Sequence, residues 1–221
     1  MKKSILSIAL ITLISFTSCK NETKTETTEE AVTEVAMEPT YSGTYTLDSA
    51  NSSVAWVGSK PAGKHTGTIT VKDGSFDITD SNVTGGTFTL DMNSINVTDI
   101  EGEDKEHLEI HLKGTGDKKE EDHFFNTTKF PTGTFKIKTV TEVEGVQTVT
   151  GDLTLKDITK EVSFPAEVTV SETEVALVSS AFKIDRTLWG VNYASKSIFD
   201  DLKDKFVDDE IELTVNVKAK K

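Results

Sequence analysis

EHLEIH, residues 106–111, places His107 and His111 four residues apart. On a helix that spacing puts both imidazoles on one face, with Glu103 on the same face a turn earlier. His123 follows nearby in sequence. Imidazole pairs at this spacing bind zinc or copper. No third ligand with supporting hydrogen bonds can be picked out, and a solvated helix face accounts equally well for the spacing. The sequence is read as holding no metal, with His107 and His111 as weak candidates.

Arg186 is the single arginine of the chain and stands between FKID and TLWG. Its planar five-donor fork suits carboxylates, phosphates or carbonyls. The favoured reading is a structural clamp at the end of a strand, ahead of a ligand contact. SKPAGKHTG gathers Lys60, Lys64 and His65. Two flexible lysines and one histidine are a thin supply of donors for a buried phosphate. They point to a ligand with a neutral head group. There is no glycine-rich phosphate loop and no G-x-S-x-G elbow, and the carboxylates are scattered. The sequence reads as non-enzymatic.

The one cysteine, Cys19, follows Lys2, Lys3 and the apolar run ILSIALITLISF. That run is shorter than the roughly 20 apolar residues a bilayer span needs, so residues 1–18 read as a signal peptide. FTSC resembles the bacterial lipobox, in which the cysteine is acylated and becomes the first residue. Each buried methylene adds about 0.8 kcal/mol, so two or more chains anchor a protein stably. The resemblance implies a lipoprotein of the cell envelope. Lys20, in place of the aspartate that retains many such proteins at the inner membrane, leans toward the outer membrane, facing the periplasm or the exterior. One cysteine leaves no intramolecular disulfide, so the fold must rest on its core. Residues 19–40, rich in Thr and Glu, bury too little to order themselves and read as a disordered tether. Residues 41–221 form one domain.

The formal net charge is −13, and losing Lys2 and Lys3 with the signal takes it to −15. Nucleic-acid phosphates require a basic face, which excludes that class of partner. The same charge disfavours docking on anionic lipid without the anchor. A homodimer is compatible with the sequence, which fixes no oligomeric state.

Period-two alternation dominates the domain and must position these groups. In VTGDLTLKDITKEVSFPAEVTV (149–170), Val149, Leu153 and Leu155 share one face of a strand, with Val162, Phe164 and Ala166 on the next. The turn falls within Lys156–Thr159. A second hairpin turns at Glu144-Gly145. HTGTITVKDGSFDIT (65–79) reads as a third, turning at Lys72-Asp73-Gly74. Eight or more short antiparallel strands mean a barrel or a sandwich. Two helices interrupt them, at 101–114 and at SIFDDLKDKF (197–206), where Ile198, Phe199, Leu202 and Phe206 fall at helical spacing.

YTLDSANSSVAW, TFTLDMNSI, EHL, HFFNTTKFPTGTFK, VTGDLTLKDITKEV, KIDRTLWGV and DDEIELTVNVKA occur in this order over most of residues 41–221. As an ordered set they resemble the YceI-like family of polyisoprenoid-binding, lipocalin-like proteins. The resemblance implies an all-β, extended eight-stranded antiparallel barrel with short helices near one end. It also implies a bound isoprenoid lipid, of quinone or polyprenol type, and no other cofactor. GKHTGT (63–68), the length of HLKGTGDKKEEDHFF, and DDEI after SIFDDLKDKF depart from the family pattern. The early G-x-W and the disulfides of true lipocalins are absent.

On this reading Trp56, Phe88, Leu90, Phe135, Ile137, Leu153, Leu155, Phe164, Phe182, Ile184 and Trp189 line the interior. Lys60, Lys64, His65 and Arg186 sit at its mouth. Eight strands enclose either a filled core or a space for one slender ligand. Alternation does not distinguish them. The competing functions are a ligand-free stress or interaction protein with a packed barrel, and a metal-binding envelope protein.

Overall fold

The computed structural model describes residues 39–117 and 122–221. The signal segment, Cys19 and the tether up to residue 38 lie outside the described residues. Among the described residues ten strands form one antiparallel sheet: β1 (Gly43–Leu47), β2 (Ser53–Lys60), β3 (Gly63–Thr79), β4 (Asn82–Val97), β5 (Thr132–Val143), β6 (Val146–Leu155), β7 (Ile158–Val170), β8 (Glu174–Ser179), β9 (Phe182–Asp185) and β10 (Glu210–Lys220). One helix, α1 (Gly102–Lys113), joins β4 to β5.

The sheet runs β1-β10-β2-β3-β4-β5-β6-β7-β8 and closes on itself because β8 also pairs β10. β1 and β2 lie one after the other between β3 and β10. β8 and β9 likewise follow each other along the opposite edge of β10. The ring therefore has eight staves made from ten strands, two more strands than the resemblance implied. Serine hydroxyls seal both breaks. Ser52 Oγ accepts the Lys218 N–H and donates to the Asp48 carbonyl. Ser179 Oγ accepts the Val215 N–H. Each break thus keeps a β10 donor bonded where the ladder lapses.

Three connections are two-residue turns with both φ positive: Asp80-Ser81, Glu144-Gly145 and Lys156-Asp157. That is the turn whose twist matches the flanking strands. The hairpin expected within 65–79 is absent, because β3 runs unbroken from Gly63 to Thr79. Asp73-Gly74 instead follows a bulge at Lys72, where the pairing with β4 shifts register between Val71 and Asp73. Gly74 has φ 155°, and a Cβ there would meet Phe88 Cδ1 and the Thr87 carbonyl at 2.5 Å. The bulge bends a long strand instead of ending it.

α1 begins with Glu103 and Asp104, ends with His111 and Lys113, and is capped by Gly114 at φ 67°. It is tied to the end of β4, where Glu109 accepts the Val97 N–H at 2.9 Å and Lys105 donates to Asn96 Oδ1 at 2.8 Å. The helix expected over 197–206 does not form. Asp201 and Lys203 adopt positive φ, and only a 3-10 turn at Lys203–Lys205 remains. Ile198 and Phe199 are exposed.

The two ends of the barrel differ. One pole is filled by Tyr45, Ile78, Val83, Val149, Val175 and Ala219, all buried. Tyr45 Oη donates to the Ser171 carbonyl at 2.8 Å, fixing the ring under the β7–β8 turn. The other pole carries the β2–β3 turn, α1, residues 122–131 and the long connection 186–209.

Candidate ligand-binding cavity

Beyond the filled pole the barrel is hollow. Its cavity measures ≈ 350 Å³, toward the small end of the roughly 300–1,000 Å³ of ligand pockets. Trp56, Phe88, Leu90, Phe135, Ile137, Leu153, Leu155, Phe164, Phe182 and Ile184 all line it. The packed-barrel reading is thereby corrected: the inward side chains meet across the axis at one pole only. Phe164 and Phe182 stack with centroids 4.4 Å apart, and Phe76 meets Phe88 edge-on at 4.7 Å. These pairs stiffen the wall and leave its apolar surface to the interior.

Trp189 does not line the cavity. The chain leaves the strand at Asp185 for a 3-10 turn, Arg186–Trp189, so period two no longer holds. Trp189 is buried (2 % exposed) and its Nε1–H donates to the Leu153 carbonyl at 3.0 Å. It fastens the turn to β6.

Glycines seat the wall aromatics. A Cβ at Gly67 would stand 2.3 Å from Trp56 Cζ2 and 2.1 Å from the Asn96 carbonyl. One at Gly151 would stand 2.6 Å from Phe135 Cζ. In both places a large ring lies across a neighbouring strand because no side chain stands there.

At the mouth, Lys60, His65 and Arg186 line the cavity. Lys64 does not: strand alternation turns it outward while His65 turns in. His65 Nδ1 lies 2.9 Å from Asp99 Oδ2, and the Thr66 N–H donates to Asp99 Oδ1 at 2.8 Å. Partial burial pushes the Asp99 carboxyl up, but those two bonds outweigh it and hold it below the usual range. Lys205, Val207, Tyr193, Phe124, Phe125, Leu108 and Leu112 complete the mouth. None was singled out from the sequence. They sit on loops and on a helix whose placement depends on the closed ring, and local patterning carries no signal for that.

Arg186 is 3 % exposed. Nε donates to the Asp208 carbonyl at 3.0 Å, and Nη2 to the carbonyls of Tyr193 (2.9 Å) and Val207 (3.0 Å). Nη1 donates to the Val191 carbonyl. Asp209 Oδ1 lies 3.7 Å away. Burial lowers the guanidinium pKa, opposed by Asp209, Asp185 and Asp208. The fork gathers both ends of the 191–209 connection, which is the clamp the sequence suggested.

Lys156, the first residue of the turn read from the sequence, is buried at the tip of the β6–β7 turn. Nζ donates to the carbonyls of Phe124 (2.9 Å) and Gly190 (3.2 Å) and lies 3.2 Å from Asp122 Oδ1. The turn's positive φ aims the side chain back under the two mouth loops and joins them.

His111 meets His123, ring nitrogens 2.8 Å apart, and both rings pack on Phe124 and Tyr193. His107 stands exposed on the same helix, as does Glu103. No group of three or more metal-ligating side chains converges among the described residues. The histidine pair belongs to the aromatic rim.

A family model for the YceI-like domain matches residues 45–219 of the chain. The chain belongs to the YceI-like family. No curated protein matches it. The YceI-like domain is similar in structure to BcnA of Burkholderia cenocepacia, with a TM-score of 0.57 at 21 % identity, over 78 % of this chain and 99 % of that one. It is also similar to a polyisoprenoid-binding domain from Saccharophagus degradans, with a TM-score of 0.55 at 15 % identity, over 80 % of this chain and 97 % of that one. At such identities the likeness establishes the shared fold.

Proposed function

We propose that this YceI-like domain binds a long-chain isoprenoid lipid, of quinone or polyprenol type, in the barrel interior, and stores or carries it without chemical turnover. The observation that carries this reading is the cavity, closed at one pole, open at the other and walled by aromatic and branched aliphatic side chains. Apolar burial is non-directional and grows with contact area, so a slender chain gains along its whole length. The similar Saccharophagus domain is described as polyisoprenoid-binding, which supports the same ligand class here. We further propose that acylation at Cys19 holds the domain on an envelope membrane, the outer one in a cell that has two.

The test is extraction of the purified chain from Lys20 onward, which keeps every described element. Organic solvent should release a co-purified isoprenoid that mass spectrometry identifies. Preparations that are repeatedly empty, and that take up neither quinone nor polyprenol when offered them, would overturn the proposal.

A further inference from the structure

The chain carries 37 acidic residues at a net charge of −13, yet neither aspartate nor glutamate is among the described residues that line the cavity. The charged or titratable side chains that do line it are Lys60, Lys205, Arg186, His65 and His111, with Tyr193. The acids near this aperture stand behind its lining, and the charged groups that face the cavity itself are basic.

These groups are not equivalent. Arg186 spends its donors on the carbonyls of Val191, Tyr193, Val207 and Asp208. His65 is held by Asp99. His111 is engaged with His123. The ammonium groups of Lys60 and Lys205 have no hydrogen-bond or ion-pair partner among the described residues. They are brought to the same side of the mouth because the Asp208 N–H donates to the Ser59 carbonyl at 2.9 Å. That bond docks the segment after the Lys203–Lys205 turn against the end of β2, next to Lys60. The nearby acids are occupied: Asp99 with His65 and Thr66, Asp208 with Lys196 at 3.9 Å, and Asp209 with Arg186 and Ser197. Asp204, in the same turn as Lys205, is exposed and does not line the cavity.

We propose that the mouth selects an anionic head group, a phosphate at the end of the isoprenoid chain, and that Lys60 and Lys205 receive it. This rests on the isoprenoid reading above and reverses the neutral head group expected from Lys60, Lys64 and His65 alone. Lys64 faces away, and Lys205, far off in sequence, takes its place. The net negative charge of the protein repels an anion at long range, but salt screens that beyond about 8–10 Å. At the mouth the ammonium groups act next to apolar walls, where attraction is screened less than in water. Both lysines are exposed, so the phosphate keeps part of its hydration while the chain enters the barrel. The cost of burying an unpaired charge is avoided.

The experiment compares a polyprenyl phosphate with the polyprenol of the same chain length, so that only the head group differs. Equilibrium binding uses the chain from Lys20 onward. The phosphate is expected to bind about tenfold more tightly, the equivalent of about 1.4 kcal/mol. Lys60→Ala/Lys205→Ala should erase that advantage by weakening the phosphate far more than the polyprenol, whereas Lys64→Ala should preserve it. Raising the salt should shrink it. Equal or tighter binding of the polyprenol overturns the inference and leaves the isoprenoid reading standing. So does a double variant that weakens both lipids alike. Binding of neither lipid overturns both.

Discussion

Arg186 and Lys156 show how much of the mouth depends on single cations whose partners are backbone carbonyls. Each stands at the end of a strand and reaches into connections that have few partners of their own. Removing Arg186 leaves the carbonyls of Val191, Tyr193, Val207 and Asp208 without their donor in a largely dry setting. Arg186→Ala should therefore cost on the order of 3 kcal/mol. It would read as a lower urea midpoint at unchanged m. Arg186→Lys should recover less than half of the loss, because an ammonium cannot reproduce the fork. A midpoint within about 0.5 kcal/mol of the wild type, the range of ordinary surface substitutions, would show that the clamp contributes little. The clamp could be anticipated, because a solitary arginine beside a strand end suggests a demand for planar donors. Lys156 could not, because its burial comes from a turn geometry that aims it at loops brought in from elsewhere in the chain.

At the scale of elements, alternation located the strands, and turn chemistry separated only some of them. Glu144-Gly145 was legible as a two-residue loop, whereas the Lys156-Asp157 turn was placed only within Lys156–Thr159. Asp73-Gly74 carries a similar local signature, yet its neighbours on β4 continue past it, so it follows a bulge in a 17-residue strand. Pairing partners decide between the two outcomes, and they are remote in sequence. The helical spacing of Ile198, Phe199, Leu202 and Phe206 misled for a related reason. The Arg186 contacts fix both ends of that connection, and the positive φ at Asp201 and Lys203 leaves no room for continuous helix. Ten of the eleven wall residues named from alternation line the cavity, Trp189 being the exception, while Phe76, Met92, Ile95 and the glycine seats went unread. Gly67→Ala tests them: the new methyl would overlap Trp56 Cζ2 at 2.3 Å and the backbone of β4. Since backbone cannot yield, the substitution should destabilise by about 1–3 kcal/mol. It should also tilt the indole into the cavity, so that isoprenoid uptake falls along with the urea midpoint. An unchanged midpoint with normal uptake would show that the strand shifts aside.

For the whole molecule, the asymmetry between a filled pole and an open one extends to its titration. Among the described residues five carboxylates are held below their usual range. For Asp48 the cause is Lys220, with Asn51. For Asp99, Glu109, Asp122 and Asp209, burial pushes the carboxyl up, and hydrogen bonds and nearby cations more than offset it. Those four sit at the mouth, joining β4 to β3, α1 to β4, residues 122–126 to the Lys156 turn, and the 191–209 connection to Arg186. A carboxyl whose pKa is lower folded than unfolded binds fewer protons in the native state, so stability rises with pH through that interval. Its contribution is complete above the unfolded values, about 3.9 for Asp and 4.3 for Glu, and is lost as pH falls through the folded ones. The urea midpoint should thus be level between about pH 6 and 5 and fall below about pH 4. Hydrogen exchange, corrected for its intrinsic pH dependence, should show α1 and residues 186–209 losing protection before the strands around Tyr45. A bound isoprenoid should escape in the same interval, since these elements frame its way out. If loosening begins instead well above pH 5, the carboxylates do not govern the mouth.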